Sequence, residues 1–580
     1  MTTLCFVFGR TQAAPSLFLC GFRKNRDFAD IFLGSERFLG EEEQRQQAYV
    51  LAYDIGTTGV KTCLFSVDTS IQLVASAQQG YELYILPDGG AEQGADQWWE
   101  AMCTTSKELF ASGSVTPQQV AAVSFCSQMQ GLVLVDKNGR PVRRPMSYMD
   151  QRARSQLRKG LAHGIQIAGA NVGKLLTSLR LTGAVSSSVK DPLWKYKWVE
   201  ENEPDNFRRV WKWLDVKEYL ILRCTGEAVM TRDSAYATFL YDTRKGKDCW
   251  SDTLCRIFGV NPGHLPRLAE ATERIGGLTE QAAGELGLAA GTPVFGGGGD
   301  ATLIGVSAGA TAVGSTHIYC GTSGWVSTVT ARQLVDVSAM ITAIVGAQPE
   351  GYNYFSEMET AGKCLEWVKD HLALDEIGIY LQKQDVAQSQ EAVYTSLYDY
   401  LTETVKDVPP GSGGVIFTPW LHGNRCPFEN PCAAGMFFNI RLDTGKTEMI
   451  NAVLEGTCFH LKWMLECQDR KVRTSDPIRF VGGGAMSPVT CQRLADITAR
   501  TVEVVASPQN VGSVGAAAVM AVGLGLIPDL DVVRSFIPVT ARYQPNAQKA
   551  AAYIPYYTVF KHLYRSNKPH FRALNGAGPS

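Results

Sequence analysis

Residues 49–67 read YVLAYDIGTTGVKTCLFSV. Two runs rich in apolar and β-forming residues, 49–55 and 60–67, flank Gly56-Thr57-Thr58-Gly59. Short apolar runs closed by a glycine-bounded turn predict a β-hairpin. Asp54 sets this hairpin apart, because it is a carboxylate at the end of an otherwise apolar strand. Glycine lets a backbone approach a ligand closely, and a turn can aim its N–H groups at an anion. Thr57 and Thr58 add hydroxyl donors, and a carboxylate such as Asp54 can hold the water shell of a Mg²⁺ ion. Two readings stand at this point: a cradle for a metal–triphosphate, or an ordinary hairpin with a polar tip.

Working outward, residues 71–79 form a third candidate strand, and a helix follows Glu92-Gln93 and Trp98-Trp99 to about 112. Residues 120–125 are a compact apolar strand ending in Cys126-Ser127-Gln128-Met129-Gln130-Gly131. A short strand (132–135), a turn at 136–139 and Tyr148-Met149-Asp150-Gln151-Arg152 come next. Strands interleaved with helices predict an α/β layered domain. The region 190–245 reads as helix-rich, with Trp194, Trp198, Trp211 and Trp213 assigned to packing. A strand over 293–295 then runs into four glycines and Asp300.

The opening pattern returns about 265 residues on: strand 316–320, the turn Gly321-Thr322-Ser323-Gly324, strand 325–329. A repeat at that distance predicts duplicated domains facing each other. Helices are expected over 360–371, 446–466, 488–500 and 512–524, with a strand at 502–505. Between them, Val481-Gly482-Gly483-Gly484-Ala485-Met486 is a second glycine-lined crevice at a strand end, where ligands sit in open α/β sheets.

The chain has 580 residues, 45% hydrophobic and 19% charged, with a formal charge of −2. That balance describes a globular protein and excludes one built to coat nucleic acid or an anionic membrane. No apolar run approaches the roughly 20 residues of a membrane span. The 15 cysteines are scattered and odd in number, with no C-x-x-C pair, and predict reduced thiols in a cytoplasmic protein. Residues 1–47 are expected to be an extension outside the fold. Met1 to Arg26 carries four basic residues and no acid, a loose likeness to a transit peptide.

A carboxylate exposed by a glycine turn suits a general base that must touch a substrate hydroxyl, so Asp300 is either that base or a helix N-cap. Asp150 and Arg152 form either a surface ion pair or a ligand-holding loop. Gln128, Met129 and Gln130 offer amide groups beside an apolar wall, as a small polar ligand requires. Trp98 and Trp99 read as core, with Trp99 also open to stacking on a sugar.

Taken together, YDIGTTGVK, EQGADQWWE, SQMQG, YMDQRA, GGGGDA, YCGTSG, PWLHGNRCPF, GMFFNI and VGGGAMS occur in an order that resembles the FGGY carbohydrate kinases, most closely the xylulokinase branch. The resemblance runs from about Tyr49 to about Leu574. It implies two actin-like (ribonuclease H-like) domains, 48–305 on the sugar side and 306–575 on the nucleotide side, with ATP and sugar between them. By that likeness Asp300 is the catalytic base and Asp54 positions Mg²⁺. Gly56, Thr57, Thr58, Lys61, Gly321, Thr322 and Ser323 line the phosphates; Gly483, Gly484, Ala485 and Met486 flank adenosine. Gln128, Met129, Gln130, Asp150 and Trp99 fall on the sugar side. The substrate implied is a ketopentose such as D-xylulose, or another ketose or polyol. Gln130 and Ala301 stand where xylulokinases usually have His and Asn, and Lys190 and Asn439 also depart from the family's patterns. An actin-like ATPase without sugar turnover and a non-catalytic sugar sensor are the rival readings. A homodimer is compatible with the sequence, which does not show the oligomeric state.

Overall fold

The computed structural model describes residues 47–111, 113, 115–162, 165–167, 170–372 and 397–576. The expected N-terminal extension, 1–47, lies outside the described residues apart from Gln47.

The strand β1 (Ala48–Ile55) is buried on both faces, which is why it reads as an unbroken apolar run. Leu51, Tyr53 and Ile55 enter one hydrophobic cluster, while Val50 and Ala52 enter another on the opposite side. It pairs antiparallel with β2 (Gly59–Val67), which pairs antiparallel with β3 (Ile71–Gly80). On its other side lies the parallel strand β4 (Val120–Ser127), then β5 (Arg274–Gly277) and β6 (Pro293–Phe295), in the order β5-β6-β4-β1-β2-β3. A two-residue strand, β7 (Gly298–Gly299), also pairs with β4. The helix α1 (Ala95–Ala111) covers one face.

A second sheet repeats this plan. The hairpin β8 (Thr316–Cys320) and β9 (Gly324–Thr330) sits at its centre, with β10 (Val335–Asp336), β11 (Ile341–Val345) and β12 (Tyr352–Met358) on one side. On the other side lie the parallel strands β13 (Ile478–Val481) and β14 (Val502–Val505), then the antiparallel edge strand β15 (Val539–Tyr543). Each sheet therefore joins a set of antiparallel strands to parallel strands through the first strand of its hairpin.

Two short helices sit beside the first sheet: α2 (Arg232–Ala237) and α3 (Asp300–Ser307), the latter leading out of β7. In the second half come α4 (Gly362–His371), α5 (Lys446–Asp469), α6 (Pro488–Thr498), α7 (Val511–Gly523) and α8 (Ala547–Asn575). The small-residue helix α7, VGSVGAAAVMAVG, lies against β1, β4 and α3. Its alanines share one cluster with Val50, Ala52 and Leu303. The helix α8, beyond the last element expected from the sequence, contains Pro555 and Pro569. It holds because Tyr553, Tyr557, Phe560, Tyr564 and Phe571 form a buried stripe at helical spacing.

Candidate active site

Sheet register assembles the first part of the site. Asp54 faces Lys61 across the hairpin and Cys126 across the parallel pair, and Gly298 faces Cys126 on the next strand over. Three strand ends thus bring Asp54, the Cys126 thiol and the glycine turn before Asp300 to one edge. The glycines are there for space. Gly297 has φ +66° and packs on the Phe125 carbonyl, and a Cβ at Gly299 would overlap the Met129 thioether. Asp300 is the first residue of α3 and accepts the Ala301 N–H at 2.7 Å. The N-cap is Gly299, so the reading of Asp300 as the cap does not hold.

The turn between β1 and β2 is held by its carbonyls. Tyr81 donates its hydroxyl to Gly56 O at 2.6 Å and Gly59 O at 3.0 Å, and its N–H to Thr58 O. Gln93 Nε2 donates to Thr57 O at 2.7 Å. Among the described residues the N–H groups of Thr57 and Thr58 have no partner, the arrangement an anion needs. The second turn is built alike: Gly362 N–H donates to Gly321 O at 2.7 Å and Ala361 N–H to Thr322 O at 3.0 Å. Lys61 Nζ donates to Gln509 O at 3.1 Å, tying β2 to the loop before α7.

Beyond the second turn, Gly482 and Gly484 press against Cys320, whereas a Cβ on Gly483 would meet nothing. Gly483–Met486 form a single 3₁₀ turn, with the Met486 side chain exposed and Ala485 buried. A narrow apolar slot of about 50 Å³ opens beside it, lined by Cys320, Gly362, Leu454, Cys458, Phe480 and Gly484.

In the loop after β4, Gln130 has a left-handed backbone (φ 63°), and its carbonyl accepts from Lys195 Nζ at 2.7 Å. Lys195, fully buried, also holds Ser147 O at 2.8 Å, and so joins the loops carrying Met129-Gln130 and Met149-Asp150. Gln128 Nε2 donates to Gln93 Oε1, linking this loop to the first turn, while its own Oε1 is buried without a partner among the described residues.

Two expectations need correction. Asp150 is fully buried, and its oxygens accept from Ala91 N–H and from the Arg152 backbone and guanidinium. It is neither a surface ion pair nor a ligand-facing carboxylate. With Glu92 and Arg143, this interior ion-pair network braces the loop. Trp99 is 3% exposed in the core under α1, and its indole N–H donates to Glu285 Oε2 at 2.5 Å. So buried, it offers no face to a sugar.

Comparison with known proteins settles the lineage of this arrangement. The model of the FGGY family of carbohydrate kinases, N-terminal domain, matches residues 49–306, and that of the C-terminal domain matches 317–524. The chain belongs to the FGGY family of carbohydrate kinases. It is 28% identical over 524 residues to a gluconokinase of Bacillus subtilis, covering 89% of this chain and 96% of the relative. It is 27% identical over 523 residues to the xylulose kinase of Escherichia coli, covering 90% and 99%. The ligand-bound xylulose kinase of Lactobacillus acidophilus superposes with a TM-score of 0.77 at 23% identity, covering 91% of this chain and all of that one. The fold is thus the two-domain, actin-like fold of the sugar kinases.

The electrostatics of this FGGY kinase follow from burial of like charges. Burial raises the Asp300 carboxyl to about 7; the Ala301 N–H opposes the rise, and Asp54, Glu357 and Asp233 add to it. Burial also raises Asp54, to about 6, against the pull of Lys61 and a hydrogen bond to Cys126. Tyr319, stacked on Trp325, has its hydroxyl against Gly321, and its phenol is pushed up by burial and by Asp300 and Asp54. Tyr319, just before the second turn, thus lies within electrostatic reach of both carboxylates. Asp233, Lys217, Tyr81 and Tyr319 are not singled out as site residues by the sequence: Asp233 and Lys217 lie in stretches without a glycine-turn signal, and Tyr81 and Tyr319, though beside glycines, are aromatic residues in turns read for their hydroxyls and carboxylates.

Proposed function

We propose that this kinase transfers the γ-phosphoryl group of ATP directly to a hydroxyl of a small sugar, a ketopentose such as D-xylulose, with Asp300 as general base. One observation carries the reading. The sheet register sets Asp54, Cys126 and the turn before Asp300 side by side, next to the Gly56–Gly59 turn whose Thr57 and Thr58 N–H groups have no partner among the described residues.

In this reading the phosphates rest on the Gly56-Thr57-Thr58 and Gly321-Thr322-Ser323 turns, and adenosine lies along Gly483, Gly484, Ala485 and Met486. Lys61 lends positive charge beside them. Met129 and Gln130 flank the sugar. Asp300 takes the proton of the acceptor hydroxyl as its oxygen bonds to phosphorus and the bond to the ADP oxygen breaks. Phosphoryl transfer asks mainly for positioning and charge neutralisation. Asp54 fits a Mg²⁺ held through water: it is half-buried, with Lys61 as its nearby cation, and lies near a second carboxylate. A bound Mg²⁺ would neutralise phosphate charge there. We divide the chain into sugar-side residues 48–305 and nucleotide-side residues 306–575. We place the enzyme in the cytoplasm, which the free state of every described cysteine supports.

A second reading, a sugar acid as substrate, is favoured by Lys190. It has no ion pair among the described residues, and its charge bears on Glu357, which is itself paired to Arg425 at 2.8 Å. ADP release measured with D-xylulose, D-ribulose, a tetrulose, a polyol and D-gluconate tests both. Sugar-dependent turnover is expected, falling by about 10²–10⁴-fold in Asp300→Asn. Preference for gluconate, lost in Lys190→Ala, selects the second reading. Silence across the whole panel from folded protein sinks both.

A further inference from the structure

The glycine turn before Asp300 has no side chains of its own to hold it, and glycine is the least restricted residue. Its conformation must be imposed from outside. Gly296 and Gly297 are tied by their N–H groups to Glu273 O and Ala271 O, at 3.0 and 2.9 Å. The last tether is different in kind. Gly299 N–H donates to a carboxylate, Asp233 Oδ2, at 2.6 Å.

Asp233 is only 4% exposed and is fixed in turn. Its Oδ1 accepts from the Thr231 hydroxyl at 2.5 Å and from the Ser234 N–H at 2.9 Å. Behind these stands Lys217, fully buried, donating to the Thr231 and Ser234 hydroxyls at 2.7 and 2.6 Å and paired with Glu218. Its ammonium lies 3.9 Å from Asp233. One cation thus serves two buried carboxylates. Burying an incompletely paired charge is costly, and a serine could fill the same space without it. Charge-assisted hydrogen bonds are shorter and stronger than neutral ones, which suits a tether that must fix a turn made of glycines.

We propose that Asp233 is a positioning residue for phosphoryl transfer: by accepting the Gly299 N–H it holds the glycine turn in the conformation that aims Asp300 at the acceptor hydroxyl. The inference rests on the reading of Asp300 as base. A misplacement of about 1 Å can cost on the order of 100-fold in rate, so loosening this tether acts on turnover without touching a ligand.

The test is steady-state kinetics of Asp233→Ala, Asp233→Asn and Asp300→Asn beside the parent enzyme, with thermal unfolding of each. Asp233→Ala is expected to lower kcat by about 30–100-fold while the KM for ATP stays within about threefold, the signature of a lost transition-state alignment. Asp233→Asn keeps an oxygen for the Gly299 N–H and is expected to recover most of kcat. Should Asp233→Ala not fold, Asp233→Ser takes its place with the same expected split. Parent-like kcat in Asp233→Ala (or in Asp233→Ser) overturns the proposal, as does an Asn variant no better than the Ala or Ser variant. Full turnover in Asp300→Asn removes the base itself, which is a separate failure.

Discussion

At the scale of single residues, Asp300 joins chemistry to stability. Its carboxyl is raised from 3.8 to about 7 in the folded chain, chiefly by burial. The folded state therefore binds this proton more tightly than the unfolded chain does. The stability so gained is full below about pH 4 and is lost as pH rises to about 7. Above that, the ionised group costs the fold up to about 4 kcal/mol. Asp300→Asn should then raise the apparent melting temperature of the ligand-free protein by a few degrees at pH 8, while turnover is lost. A lower melting point by scanning calorimetry would contradict the burial argument. The same shift predicts a pH limb. With Asp300 as base, kcat/KM for the sugar falls about tenfold per unit on the acid side of about pH 7.

At the scale of elements, the contact between α7 and α3 decides how close the two halves of the site come. Their small residues let the backbones nearly touch: a Cβ at Gly515 would overlap the Leu303 carbonyl, and one at Gly512 the Asp54 carboxylate. Gly515→Ala should destabilise by about 1–3 kcal/mol, since neither helix backbone can yield cheaply. It should also reduce kcat, because Leu303 lies one turn beyond Asp300 on the same helix. Gly483→Ala is the control: its Cβ meets nothing, so stability should stay within about 0.5 kcal/mol. Urea unfolding of the two variants checks the contrast. At this scale the sequence was legible where glycine punctuates. The hairpin at 49–67, its repeat at 316–330 and the strand at 293–295 were expected, and the structure has them. Strands β10–β12 and helix α8 were not, because their identity comes from pairing with β9 and from packing into the second core.

At the scale of the molecule, the sheets are joined along one side. Tyr352 donates to Thr243 O at 2.9 Å, Arg232 to Pro349 O at 2.6 Å, and α7 lies on the first sheet. On the proposed reading, ligands that touch both glycine turns should bridge the other side. Mg-ADP with sugar is therefore expected to raise the melting temperature by more than the sum of the two separate shifts, each ligand alone giving about 2.7 kcal/mol of stabilisation at a hundredfold excess over its Kd. Additive or absent shifts would argue against a shared crevice. The primary sequence by itself determined the lineage, the duplicated strand–turn–strand units and the strand-end positions of Asp54 and Asp300. Those signals are local: a glycine turn and an acid at a strand end can be read within a few residues. Only the tertiary structure decided that Asp150 and Trp99 belong to the interior and that Asp233 reaches Gly299. Burial and long-range hydrogen bonds depend on which elements pack together, and no local spacing encodes that.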